Sequence, residues 1–177
     1  MIEKLALSIA TSIKKVDEDQ TPSIEVMKFS LITILHTLFT MVIIIIVGLV
    51  LGKPWVTLYG LLYFMLLRFF SGGYHLHSSL WCSVLSVVLM CAAPFISLSN
   101  DLIIIGNIVN LVMMAIFAPS NIKGFAQIPE KFFPILKLVS IVIVGANFFM
   151  KDPTLTIVAI FQSVLLLFKN GKEVNHS

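Results

Sequence analysis

Hydrophobic positions along the chain fall into one short amphipathic run followed by a series of longer apolar stretches. In residues 2–16, Ile2, Leu5, Ile9, Ile13 and Val16 recur at helical spacing, while Glu3, Lys4, Lys14 and Lys15 lie largely off that stripe. The pattern predicts an amphipathic helix lying in a membrane interface. A soluble packing helix would find little soluble protein to pack on. Apolar stretches then follow at 29–51, 55–67, 80–99, 102–118, 135–150 and 154–168. A spanning helix needs about 20 residues, with a range near 17–25. The first, third and fourth stretches meet that length. The second is cut short by Arg68 and Gly72-Gly73, and the last two are marginal, with Pro134 and Pro153 placed at their starts.

The expected fold is therefore an all-α integral membrane protein of about six transmembrane helices with an N-terminal amphipathic interfacial helix. Four full spans plus two short or partial ones is the alternative. A single polytopic domain covers 1–177: an amphipathic segment over 1–22, a transmembrane core over 23–169 and a cytoplasmic tail over 170–177. No internal repeat or low-complexity tract interrupts it.

Composition makes the membrane assignment nearly forced. Of 177 residues, 58% are hydrophobic and 12% charged, against about 25% charged in soluble domains. Met41 to Gly52 and Leu80 to Asn100 carry no charge, so the helices they form lack the polar face a soluble fold requires. The first 28 residues hold Glu3, Lys4, Lys14, Lys15, Asp17, Glu18, Asp19, Glu25 and Lys28. No cleavable signal peptide is expected there, and the internal segments drive insertion. Cys82 and Cys91 in a membrane-buried context suggest no disulfide framework. The small, dispersed net charge of +3 points to no nucleic-acid partner.

Charge does decide orientation. With a cytoplasmic N-terminus, the inner side holds Lys4, Lys14, Lys15, Lys28, Arg68, Lys123, Lys131, Lys137, Lys169 and Lys172, and the outer side only Lys53 and Lys151. That positive-inside bias puts both termini and the 68–79 segment in the cytoplasm.

Residues 68–82 (RFFSGGYHLHSSLWC) break the hydrophobic rule. Ionisable groups near membrane depth are costly and usually mark function. A cysteine becomes a strong nucleophile as thiolate, and a neighbouring imidazole supplies the base. In one straight helix, His75 and Cys82 would share a face but stand about 10.5 Å apart along the axis. A dyad thus requires the chain around His75 to leave the helix and fold back, which Gly72 and Gly73 make inexpensive. A helix beginning near Ser78 or Ser79 would carry Cys82 in its first turns, where the dipole favours negative charge.

Other readings of these residues are blander. Cys91 reads as a small packing residue, His36 as hydrogen-bonded packing, and Asn107, Asn110, Asn147 and Gln162 as interhelical hydrogen-bond glue. Met113 and Met114 read as lipid- or core-facing filler. His75, His77 and Cys82 make three close metal ligands without a fourth, a weak signal, so no metal and no cofactor is assigned. Arg68 either pairs with an acidic substrate group or snorkels to lipid phosphates. Ser86, one turn beyond Cys82, either hydrogen-bonds near it or packs.

Arg68, Gly72, Gly73, His75 and Cys82 spell R-x3-G-G-x-H-x6-C, with Ser86 four residues on. This pattern resembles the accessory gene regulator protein B (AgrB) family of bacterial quorum-sensing peptidases. Length, span count, the charged N-terminal helix and Ala118-Pro119 are also similar to that family. Leu76 and the additional His77 depart from it, as does a 119–134 loop whose basic residues are only Lys123 and Lys131.

The resemblance implies a cysteine endopeptidase of the bacterial plasma membrane, with His75 and Cys82 catalytic and Arg68, Gly72, Gly73 and Ser86 supporting. Its implied substrate is a short propeptide with an amphipathic N-terminal helix and an acidic tail. Tail removal through a thioester on Cys82 would let the peptide close a thiolactone or lactone ring. Membrane lipids and a second copy of the chain are the other implied partners. The competing classes are a small non-enzymatic transporter or channel subunit, and a metal- or haem-binding subunit. The charge count yields one direct expectation: single cysteines placed in 70–80 and in 119–134 should react only with reagents reaching the cytoplasmic face. Labelling of either from outside would overturn the orientation.

Overall fold

The computed structural model describes residues 2–16, 21–74, 79–121 and 129–168. Among these there is no strand, only an isolated bridge between Gly72 and Ser120. Helix α1 (Ile2–Val16) is the expected amphipathic element. It packs on α2 (Ile24–Val50) and buries Ala6 and Ala10 completely, leaving Leu5, Ile13 and Val16 exposed. Small residues outside the apolar stripe meet α2, and Leu5, Ile13 and Val16 of the stripe form a free apolar side of the kind that enters a headgroup region.

Helix α2 has 27 residues, about 40 Å of rise, more than the roughly 30 Å of a bilayer's hydrocarbon. Ser23 starts it, its hydroxyl accepting the Val26 N–H. Helix α3 (Pro54–Ser71) begins at a proline, whose missing N–H has no helical partner to lose at that position. It runs further than the apolar stretch suggested because Arg68 stays helical, its charge turned inward rather than out to water. Helix α4 (Ser79–Ala92) is shorter than expected. Pro94 cannot donate to the preceding turn and its ring crowds the carbonyl there, so the chain passes into a 3-10 turn at Ala93–Phe95. Ser99 then caps α5 (Asn100–Phe117), its hydroxyl accepting the Leu102 N–H. Helices α6 (Phe133–Met150) and α7 (Pro153–Leu167) open with Pro134 and Pro153, as the sequence indicated.

Four of these elements are long and apolar enough to cross a membrane: α2, α3, α5 and Glu130–Met150, which is α6 with its leading 3-10 turn. Leu80–Phe95 and Pro153–Leu167 are shorter apolar helices. The protein is a multi-pass membrane protein with the four-plus-two arrangement. Val42, Ile46, Leu49, Ile105, Val109, Leu138 and Val142 are all exposed, the outward apolar surface that a lipid solvent permits.

One of the two short helices, α7, is also the most enclosed. It packs against α3, α5 and α6, and Leu155, Val158, Ala159, Gln162, Ser163 and Leu166 are buried along it. Two apolar clusters meet on it. One gathers Ile44, Leu61, Met90, Cys91, Ala93 and Val158; the other gathers Leu67, Met114, Ala118, Val144, Ala159 and Leu166. Burial of Cys91 and Met114 in these clusters agrees with their reading as packing residues.

A polar network threads between α5, α6 and α7, where the sequence placed hydrogen-bond glue. The Asn147 amide reaches Asn107 Oδ1 (3.2 Å), the Thr156 hydroxyl (2.9 Å) and the Asp152 carbonyl (3.1 Å). Its Oδ1 accepts the Asp152 N–H at 3.0 Å. Asn110 donates to the Thr156 carbonyl (3.2 Å) and accepts from the Ser163 hydroxyl (3.1 Å). Close approach is possible because Gly106 faces Thr156: a Cβ there would stand 2.6 Å from its Cγ2.

The ends of the helices sort by bonding. At one end of the bundle, the residues after α3, α5 and α7 join one another, through Gly73 N–H to the Ser120 carbonyl (2.8 Å) and Asn121 Nδ2 to the Phe168 carbonyl (2.9 Å). At the other, the Tyr59 hydroxyl donates to Asp152 Oδ2 at 2.7 Å. The chain after α3 and the chain after α5 thus share one side. Replacing Asn147 by Leu should cost about 1–3 kcal/mol, because several interhelical bonds averaging about 0.6 kcal/mol are lost together. Reversible unfolding in mixed micelles would measure it, and a change below about 0.3 kcal/mol would show that the network does not hold the three helices.

Candidate active site

The chain leaves α3 at Gly72, whose φ of 68° closes the helix while its N–H still donates to the Arg68 carbonyl (3.0 Å). Gly73 follows at φ 119°, a region that side chains rarely adopt. Together they turn the chain away from the α3 axis, the bend that the glycine pair suggested. Unwound backbone enclosed by protein needs protein partners for its N–H and carbonyl groups. Here three elements supply them.

From the chain following α5, the Ser120 carbonyl accepts the Gly73 N–H (2.8 Å), and the Ser120 N–H donates to the Ser71 carbonyl (3.0 Å). From α7, the Leu165 carbonyl accepts the Tyr74 N–H (2.9 Å). The Gln162 amide nitrogen donates to Ser71 Oγ (2.8 Å) and to the Gly72 carbonyl (2.6 Å). From α3 itself, Arg68 Nη2 donates to the Tyr74 carbonyl. Gly73 fits because it has no side chain: a Cβ would stand 2.7 Å from Arg68 Nη1 and 3.2 Å from Gln162 Nε2. The Tyr74 ring rests on Phe168, centroids 5.9 Å apart.

His75 and His77 lie outside the described residues. What is described is the anchor one residue before His75, with both the N–H and the carbonyl of Tyr74 bonded. Across from it, α4 begins at Ser79 and carries Cys82 in its first turn, half-buried and unoxidised. That places the sulfur by the positive end of the helix dipole. Arg68 lies close enough to Cys82 for the guanidinium and the sulfur to interact electrostatically. Ser86 is half-buried one turn further along α4.

Arg68 turns inward, with Nη2 on the Tyr74 carbonyl and Nη1 buried without a hydrogen-bond partner among the described residues. Helix α2 backs this region. Thr40 donates to the His36 carbonyl (2.8 Å) and hydrogen-bonds Ser83, the residue after Cys82, at 2.7 Å. Three participants went unread in the sequence: Ser71, Ser120 and the Leu165 carbonyl. Gln162 was read as glue, and it does join helices, but the group it holds is the turn before His75. A cleft of about 440 Å³ opens beside this end, between Ile116, Phe117, Pro119, Phe133, Pro134 and Lys137.

Comparison with known proteins gives the family. The sequence model of the family "Accessory gene regulator B" matches residues 2–168. The chain belongs to the AgrB family. An AgrB-like protein of Halalkalibacterium halodurans is 38% identical over 101 residues, which cover 57% of this chain and 51% of that relative. The chain thus matches about half the length of that relative. No solved structure matches this AgrB-family chain. Membership gives it a role in an accessory gene regulator system, in keeping with its apolar, multi-pass build.

The geometry of the turn makes one glycine critical and another not. Gly52 also has a positive φ, 70°, but open space around it. Gly52→Ala should cost about 1–2 kcal/mol, from backbone strain alone. Gly73→Ala adds a collision with Arg68 and should cost more, about 3 kcal/mol or above. Thermal unfolding of both variants in mild detergent compares them, and equal losses would refute the crowded turn.

Proposed function

We propose that this AgrB-family protein is a membrane cysteine endopeptidase that removes the C-terminal tail of a short quorum-sensing propeptide, with Cys82 as nucleophile and His75 as base. The observation that carries this reading is the bonded turn Gly72–Tyr74. It holds the chain entering His75 against the end of the bundle where α4 begins with Cys82. Structural loops rarely recruit a buried arginine, a buried glutamine and two other chain segments to hold three residues.

In this reading His75 takes the proton of the Cys82 thiol as the sulfur attacks the carbonyl before the tail. The peptide C–N bond breaks, His75 returns the proton to the leaving amine, and a thioester joins the peptide to Cys82. A thiol or hydroxyl within the peptide then attacks that carbonyl. The enzyme's C–S bond breaks, the proton returns to Cys82, and a thiolactone or lactone ring is released. Exchange of one thioester for another conserves acyl energy only where water is excluded, which suits a nucleophile among apolar helices. Arg68, beside Cys82, supplies positive charge where negative charge develops. The cleft carrying Lys137, part polar and part apolar, offers one route for a peptide with acidic character.

Further parts of the reading rest on sequence. The site faces the cytoplasm, both termini lie there, and the free apolar side of α1 meets the propeptide's own amphipathic helix at the inner leaflet. A homodimer would give so small a protein room to enclose a peptide. The competing transporter reading needs a polar path; the α5–α7 polar groups are instead mostly bonded to one another, with Asn107 Nδ2 left over.

Cys82→Ala and His75→Ala should each abolish cleavage of the propeptide, because a nucleophile and its base fail as a unit. Cys82→Ser should leave at most a trace, and Cys91→Ala and His36→Ala should stay active. With the peptide's internal nucleophile deleted, the reaction should stall as an adduct on Cys82, detected by mass and released by hydroxylamine. Full activity in Cys82→Ala would end the peptidase reading.

A further inference from the structure

Helix α7 is far from the motif in sequence, yet it makes two of the bonds that define the turn. Gln162 is fully buried, and its single amide nitrogen spends one proton on Ser71 Oγ and the other on the Gly72 carbonyl. The orientation of the amide is set by chemistry. A carbonyl oxygen only accepts, so Oε1 cannot face Gly72, and Ser71 already donates its own proton to the Leu67 carbonyl at 2.7 Å. The Gln162 Nε2 is therefore the donor to both. One turn on, Leu165 accepts the Tyr74 N–H.

A residue serving only to join α3 and α7 would need one of these contacts. Gln162 instead grips the last helical residue and the first unwound one, the point at which the chain changes direction toward His75. Loss of that grip would leave the Gly72 carbonyl without its donor in a water-poor core and free the turn to rotate about two glycines. Misplacement of a catalytic group by about 1 Å costs on the order of a hundredfold in rate.

We propose that Gln162 is a positioning residue for His75, acting through the Gly72–Gly73 turn; this rests on the His75–Cys82 reading above. Gln162→Met keeps the volume and removes both donors. In purified full-length protein in nanodiscs, assayed with the propeptide, it should lower kcat by about 10–100-fold while KM stays within about twofold. The acid limb of the pH–rate profile should also move, since that limb reports the base. The ionisable groups on the elements that hold the turn are Arg68 and Tyr63 on α3 and Tyr74 in the turn itself. All are unchanged by the substitution, and α5 and α6 present Asn107, Asn110 and Asn147, which do not titrate.

Ser71→Ala removes only one acceptor and should lower kcat by less than about fivefold. Gln162→Asn keeps a buried amide but shortens its reach by one methylene. It should fold where Gln162→Met does not, and still lose at least about tenfold in kcat. Unchanged kcat in a folded Gln162 variant overturns the proposal. So does a kcat loss that merely follows lost folded protein, with the pH profile unmoved. His75→Ala and Cys82→Ala run alongside: activity in either one removes the peptidase reading itself, whereas inactivity of both with a fully active Gln162→Met removes only the role of Gln162.

Discussion

Backbone that leaves a helix while enclosed by other helices must find protein partners for the N–H and carbonyl groups it exposes, because burying them unpaired is costly. The rest of this structure is arranged around that constraint at Gly72–Tyr74. The chain unwinds there because two consecutive glycines permit it and because a reversal is needed to bring α4 back beside α3. The exposed groups are then taken up by Ser120, Leu165, Gln162 and Arg68. Each donor or acceptor comes with its own requirement. Arg68 must stay helical and turn inward, α5 must end so that Ser120 lies alongside Gly72, and α7 must present its Gln162 face to α3.

That last requirement explains why a 15-residue helix stands at the centre of the bundle. At about 22 Å, α7 is too short to cross the hydrocarbon by itself in contact with lipid. Surrounded by α3, α5 and α6, it has little lipid contact to satisfy. Its polar residues face partners rather than acyl chains: Thr156 and Ser163 meet the asparagines of α5 and α6, and Gln162 meets α3. Burial of these groups would be costly without bonds. With them, the same residues fix the rotation of α7 about its axis, and so the direction in which Gln162 points.

The proposed chemistry takes advantage of this arrangement at little further cost in stability. A bonded turn ahead of His75 and an inward Arg68 are outcomes of satisfying the unwound backbone, and α4 carries Cys82 in its first turn.

Much was legible in the sequence, for physical reasons that operate locally. Apolar run length and the scarcity of charge required a helical membrane protein, since only helices and closed barrels satisfy backbone in lipid. Lysine and arginine placement suggested orientation, the glycine pair located the reversal, and Pro134 and Pro153 marked helix starts. Span lengths were less legible. Arg68 looked like the end of α3 and is not, because it turns inward and its Nη2 bonds a carbonyl six residues on; residues 80–99 looked like one span and are not, because Pro94 ends the helix. The environment of the turn could not be read at all. Nothing in the spacing of Gln162, Ser120 or Leu165 relates them to Gly72, some fifty to ninety residues away in sequence. Hydrophobic pattern specifies which face of a helix avoids lipid, but which buried polar group meets which backbone carbonyl depends on how three helices rotate and cross, and only the tertiary structure decides that.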